Sequence, residues 1–199
     1  MTEKAEARLN LSKATVLLLQ NNQAELDILG QVFIGFGVKA IRKCLSLAEA
    51  EACIKQGILF DLIIVDCDMA AGAGFDFVTR LRRMEDNDNR LTPIMLVSGH
   101  TAPSSITRAR DCGANFVVAK PITPKTMFDR VMWLARETRQ FVVTDTYCGP
   151  DRRHKTFGPP AGTKGRRRDD VSGKIGKAGG PDMSQSDIDA LLNPKRAAL

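Results

Sequence analysis

Asp61-Leu62-Ile63-Ile64-Val65-Asp66-Cys67-Asp68 sets four consecutive apolar residues, three of them β-branched, directly before two acids one residue apart. A short unbroken apolar run of this kind reads as a central strand of a parallel sheet, buried on both faces. Open sheets of that type place their chemistry just beyond the carboxyl ends of the strands. Asp66 therefore stands where a reactive carboxylate is expected, and the flanking sequence is read for its neighbours.

Upstream, Thr15-Val16-Leu17-Leu18-Leu19 is a second buried-strand run, ending at Gln20-Asn21. Leu26, Leu29, Val32, Phe33 and Phe36 then recur at helical spacing until Gly35 and Gly37 stop the pattern. Val38 to Ile41 predicts a shorter strand, and Ser46-Leu47-Ala48-Glu49 is a capping box opening a helix that ends at Gly57. Downstream, a Gly-rich loop (Ala70 to Gly74) leads to a helix over Asp76 to Met84. Pro93 to Ser98 reads as the fourth strand, Ser104 to Cys112 as a helix closed by Gly113, and Asn115 to Ala119 as the fifth strand. Thr123-Pro124 supplies an N-cap followed by proline at the first helical position, and Met127, Val131, Leu134 and Ala135 give the last helix its apolar stripe. Strands and helices alternating at short loop lengths predict an α/β fold, a doubly wound five-stranded parallel sheet with right-handed crossovers, over residues 14–140.

In that fold the strand ends converge: Gln20-Asn21 after the first strand, Asp66 and Asp68 after the third, Ser98 after the fourth and Lys120 after the fifth. A carboxylate flanked by a hydroxyl and an ammonium is suited to become an acyl phosphate, because the Ser and Lys can bind the arriving phosphoryl oxygens. Asp66 is expected to be the one carboxylate sharing a site with Ser98 and Lys120. The order Asp66-x-x-Met69, Gly74, Ser98, Lys120-Pro121 resembles the receiver domain of two-component response regulators, which has a flavodoxin-like fold. The resemblance implies that Asp66 is the phosphoacceptor, Ser98 the switch hydroxyl and Lys120 the phosphate-binding lysine, with Lys120-Pro121 a cis peptide. It implies a sensor histidine kinase or phosphotransfer protein as partner, and signalling rather than enzymatic turnover.

The sequence departs from that pattern in three places. Receivers carry an acidic pair after the first strand to hold Mg²⁺, where this chain has Gln20-Asn21. With Asp66, Asp68, Gln20 and Asn21 as the candidate ligands, one missing charge about 4 Å from the ion removes on the order of 4 kcal/mol of attraction at an effective dielectric of about 20. The expected Mg²⁺ site is weak or absent unless Asp68 turns inward. Ala70 replaces a common proline, and Val117 stands at the switch-aromatic position.

The rest of the chain is organised as tails. Residues 1–13 are polar, no apolar run reaches the roughly 18 residues of a membrane span, and the start Met1-Thr2-Glu3-Lys4 lacks a signal-peptide pattern, so a cytoplasmic location is expected. The five cysteines form no C-x-x-C pair, which argues against a disulfide framework or a zinc site. The net charge of +6 is carried by one stretch, Cys148 to Gly180, with nine Lys/Arg against three Asp. Glycine- and proline-rich and poor in large apolar residues, residues 141–181 read as a disordered basic linker with Arg152, Arg153, Arg166, Arg167 and Arg168 as its cations. Aromatic residues for base stacking are scarce there, so nucleic acid is the lesser reading. Tyr147-Cys148-Gly149-Pro150-Asp151-Arg152-Arg153 resembles an element that follows some stand-alone receivers.

Residues 182–194 regain helical character. Ser184 caps the helix with Asp187 at its third position, Met183 and Ile188 form a hydrophobic staple, and Ile188, Leu191 and Leu192 share one apolar face. The stretch resembles the receiver-binding N-terminal segment of the flagellar motor switch protein, implying that it docks on another receiver or on this chain's own, and that flagellar motor or chemotaxis proteins are partners. No helix-turn-helix or catalytic pattern follows the receiver, which predicts a stand-alone regulator working by protein contact. The competing expectation is a scaffold whose receiver is never phosphorylated and whose tail does the binding.

Overall fold

A computed structural model describes residues 11–69, 72–137, 139–152 and 182–192. Five parallel strands, β1 (Thr15–Leu19), β2 (Ala40–Cys44), β3 (Leu62–Asp66), β4 (Ile94–Ser98) and β5 (Phe116–Ala119), lie in the order β2-β1-β3-β4-β5. Helices α1 (Gln23–Gly35), α2 (Leu47–Lys55), α3 (Ala73–Arg82), α4 (Pro103–Asp111) and α5 (Pro124–Leu134) connect and follow them. Alternate strand residues point to opposite faces. Val16, Leu18 and Ile64 accordingly join Leu26, Phe33, Met127 and Val131 in the layer under α1 and α5, while Leu17, Ile63 and Leu96 join Ile54, Val78 and Ile106 under α2, α3 and α4. The strand order reverses between β1 and β3, which opens a crevice at their carboxyl ends.

The local signals act where expected. Ser46 Oγ accepts the Glu49 N–H, Thr123 Oγ1 caps α5 ahead of Pro124, and Lys120-Pro121 is cis. Two boundaries move. Val38 belongs to the stop of α1 rather than to a strand: its N–H donates to the Phe33 carbonyl while Gly37, at φ 89°, donates to Ile34, a Schellman closure. Pairing with β1 then sets β2 at Ala40–Cys44, with Thr15 opposite Ala40. Helix α3 starts at Ala73, ahead of the expected Asp76, because Gly74 lets it close on the end of β3. A Cβ at Gly74 would lie 2.3 Å from the Asp66 carbonyl oxygen.

Residues 141–150, assigned by composition to the linker, form an antiparallel hairpin of β6 (Phe141–Val143) and β7 (Cys148–Pro150). It is held at the amino end of the sheet by contacts that composition does not encode. The buried Arg82 guanidinium donates to the carbonyls of Gly113, Arg90 and Thr92 and stacks on Phe141 at 4.9 Å. Gly113, at φ 93°, meets Gly149 so closely that a Cβ on Gly149 would lie 2.7 Å from its Cα. Tyr147 Oη donates to the Pro150 carbonyl at 2.7 Å. Arg152, counted with the basic tail, is part of this unit: it stacks over Tyr147 at 3.9 Å and pairs with Asp111 at 2.6 Å. Arg153, Arg166, Arg167, Arg168 and Ala70 lie outside the described residues. A final helix, α6 (Gln185–Leu192), packs against β5. Among the described residues no helix is long and apolar enough to cross a membrane.

Candidate phosphoacceptor site

Parallel register brings the expected residues to one level at the carboxyl edge of the sheet. Asp66 closes β3 opposite Val97, Ser98 closes β4 opposite Ala119, and Lys120 follows β5 directly. Asp66 is fully buried. A buried carboxylate is tolerated when its charge is matched and its lone pairs are occupied, and both conditions hold. Lys120 Nζ donates to Asp66 Oδ2 at 3.0 Å, and the Asp68 N–H donates to Asp66 Oδ1 at 2.8 Å. The neighbouring carboxylates orient the Gln20 amide. With its nitrogen toward them it donates to Asp66 Oδ2 at 3.0 Å and to Glu25 Oε2 at 3.3 Å.

Asp66 is not the sole carboxylate at this site, contrary to the sequence expectation. Glu25, in the first turn of α1, accepts from Lys120 Nζ at 2.6 Å. Burial pulls the Lys120 pKa down, but the hydrogen bonds to Glu25 and Asp66 outweigh it, and the net shift is upward, so the ammonium stays charged. Asp68 approaches Lys120 at 3.9 Å and turns its carboxylate to Ser98 and the loop beyond it. Ser98 Oγ donates to Asp68 Oδ1 at 2.8 Å, and the Gly99 N–H donates to Asp68 Oδ2 at 2.5 Å. The His100 ring is exposed with Nδ1 3.4 Å from Asp68 Oδ1. Cys67 is no competing nucleophile: its Sγ donates to the Val97 carbonyl and burial pushes its pKa up to about 12.

The donor set does not fit a magnesium ion. Mg²⁺ requires near-octahedral oxygen ligands and favours charged ones, yet the residues after β1 are the neutral amides Gln20 and Asn21, and the Asp68 carboxylate is turned to Ser98 and Gly99. Gln20 presents its nitrogen to the carboxylates, Asn21 is exposed, and among the described residues no group of three or more His, Cys, Asp or Glu is arranged to hold a metal.

The sequence profile of the response regulator receiver domain matches residues 16–132, more than half of the chain. The chain belongs to that family. This receiver is 27% identical over 139 residues to the sensory/regulatory protein RpfC of Xanthomonas campestris pv. campestris, a match covering 70% of this chain and 19% of RpfC. It is 24% identical over 149 residues to the transcriptional regulatory protein YvrH of Bacillus subtilis, covering 75% of this chain and 60% of YvrH. The chain thus spans about a fifth of RpfC. Among solved structures, the chemotaxis response regulator CheY4 of Vibrio cholerae superposes with a TM-score of 0.55 at 25% identity, covering 61% of this chain and 98% of CheY4. The receiver domain of the histidine kinase CKI1 from Arabidopsis thaliana, a structure containing Mg²⁺, superposes with a TM-score of 0.53 at 23% identity, covering 61% of this chain and 93% of that one.

The C-terminal helix is seated on the receiver's own α4-β5-α5 face. Ser184 caps the helix as expected, its Oγ accepting the Asp187 N–H at 3.3 Å, and Asp187 Oδ2 in turn accepts the Ser184 N–H at 3.3 Å, closing a capping box. Ile188 and Leu192 are buried in the cluster that holds Ile106 and Ala109 of α4 and Val117 of β5, and Met183 packs against it. The Leu191 side chain lies outside the described residues. The polar contacts that fix the seat came from residues the sequence reading did not single out. Gln185 Oε1 accepts the Ala119 N–H at 2.7 Å and its Nε2 donates to the Val117 carbonyl at 2.9 Å, so one side chain takes two outward-facing groups of an edge strand. Thr101 is tied at three points: its N–H donates to Asp182 Oδ1 at 2.9 Å, its Oγ1 to the Met183 carbonyl at 2.8 Å, and its carbonyl accepts the Met183 N–H at 3.0 Å. Arg130 pairs with Asp189, and Arg139 reaches the Leu192 carbonyl.

Proposed function

We propose that this chain is a response regulator of a two-component phosphorelay that accepts a phosphoryl group on Asp66 from a sensor histidine kinase or phosphotransfer protein. It acts by protein contact at the α4-β5-α5 face, where its own residues 182–192 sit. The observation that carries the reading is the buried Asp66 carboxylate with Lys120 Nζ at 3.0 Å, at the crevice between β1 and β3. In the transfer, an Asp66 oxygen forms a bond to phosphorus as the donor's bond to phosphorus breaks, leaving an acyl phosphate and the free donor. Lys120 neutralises the charge that moves onto the site, and the Ser98 hydroxyl and Gly99 N–H are placed to bind phosphoryl oxygens. Because the donor set does not fit Mg²⁺, any such ion is held weakly and Lys120 supplies most of the positive charge. A link to chemotaxis is supported by the likeness of residues 183–193 to the motor-switch segment and by the similarity to CheY4.

Labelling by acetyl phosphate, and by a chemotaxis kinase as donor, with and without Mg²⁺, tests this. Asp66→Asn is expected to abolish incorporation, and label persisting in that variant overturns the assignment. A second reading, a scaffold that is never phosphorylated, is favoured by one observation: Asp68 already occupies Ser98 and Gly99. Absence of label in the wild-type chain with either donor selects it.

A further inference from the structure

We infer that the Asp68 carboxylate is a built-in substitute for the phosphoryl group, filling the seat that Ser98, Gly99 and Lys120 form and thereby holding α6 docked while Asp66 is unmodified. The inference rests on the proposed reading of Ser98 and Lys120 as phosphoryl-binding groups. A phosphoryl group on Asp66 needs a hydroxyl, a backbone N–H and a cation to receive its oxygens. Each of these faces Asp68: Ser98 Oγ at 2.8 Å, Gly99 N at 2.5 Å and Lys120 Nζ at 3.9 Å. The Ser98 hydroxyl has one proton and also lies 2.9 Å from the His100 carbonyl. The charged acceptor makes the stronger bond, so the proton goes to Asp68. Ser98 Oγ in turn accepts the His100 N–H at 3.0 Å, which folds residues 98–100 around the hydroxyl.

Thr101 follows at once and is buried, with its N–H, hydroxyl and carbonyl all engaged by Asp182 and Met183. One four-residue segment, 98–101, is therefore held at its start by Asp68 and at its end by Asp182 and Met183, which lead into α6. Asp68 supplies a carboxylate's single charge and two oxygens, enough to occupy Ser98 and Gly99, and it stands next to the phosphoacceptor, whose Oδ1 accepts the Asp68 N–H. Docking of α6 then does not wait for phosphorylation, and a phosphoryl group arriving at Asp66 must displace the Asp68 carboxylate from Ser98 and Gly99.

Amide hydrogen exchange on the full chain, without phosphodonor, tests the inference. Asp68→Ala is expected to speed exchange at Gly99 and Thr101 by at least tenfold, with a smaller increase at Ala119, while amides of β1 and β3 are unchanged. Formate added to that variant restores the missing oxygens and is expected to recover most of the protection at Gly99 and Thr101. Exchange at Gly99 and Thr101 equal to wild type, or faster exchange that formate leaves unaltered, overturns the inference. Should Asp68→Ala fail to fold, Asp68→Ser is read the same way without formate: its single, shorter hydroxyl cannot span Ser98 Oγ and Gly99 N as the carboxylate does, so unchanged protection at Gly99 and Thr101 overturns the inference too. Failure of Asp66 to label sinks the phosphoacceptor reading alone, since none of these exchange measurements involves a phosphodonor.

Discussion

The two edges of the sheet are treated in opposite ways. Strand β2 leaves Ala40, Arg42 and Lys43 exposed, and Lys43 pairs with Asp27 at 2.7 Å across open surface. Charge on an edge strand deters pairing with another chain, so β2 needs no cover. Strand β5 reads Phe116-Val117-Val118-Ala119, almost wholly buried, and no charge protects it. Its outward backbone groups are taken by side chains from elsewhere: Gln185 on Val117 and Ala119, Arg139 on the Asn115 carbonyl. An apolar edge must be covered, and here the cover is a segment more than sixty residues away in sequence, joined to the seat by contacts that can be undone. The covered edge is also the one that Lys120 directly follows.

The comparison breaks most completely at Ile188. Removing its side chain deletes a fully buried group from a helix of eight residues, too short to persist alone. Ile188→Ala is expected to cost about 2–5 kcal/mol of docking, undocking α6 and collapsing protection of the Ala119 amide, while the melting of the five-stranded sheet stays close to wild type. An Ala119 amide still protected in that variant would mean that β5 is covered some other way. Gln185→Ala should have a smaller effect, about 1–3 kcal/mol, because it strips partners from the Val117 carbonyl and Ala119 N–H but leaves Ile188 and Leu192 buried. The measurement is the same amide, with partial loss of protection expected. The smallest effect belongs to the other edge. Lys43→Ala removes one exposed ion pair and should change unfolding free energy by no more than about 1 kcal/mol in urea titration. A larger loss would show that β2 depends on its charged partner as β5 depends on α6.

Along the chain, the alternation of strands and helices was legible because it rests on local periodicity and capping. Asp66, Ser98 and Lys120 could be placed from sequence because each ends an apolar run, and parallel register aligns such ends. Glu25 could not. An acid in the first turn of a helix reads as compensation of the helix dipole, and only the tertiary fold brings the first turn of α1 within reach of the Lys120 side chain. The hairpin at Phe141–Pro150 was hidden for a similar reason. Its short strands carry no periodic signal, and they are held by Arg82, Gly113 and Tyr147, which become neighbours only once α3 and α4 have packed.

What the sequence determined by itself is therefore the alternation of the five parallel strands with five helices and the level at which Asp66, Ser98 and Lys120 stand, because periodicity, capping and the ends of apolar runs are set by residues near one another in the chain. The tertiary structure decided which way Asp68 turns, that Gln20 donates to the acidic pocket, and that the terminal helix sits on its own receiver. Those outcomes depend on which donor or acceptor lies within about 3 Å once distant segments meet, and no local pattern records that.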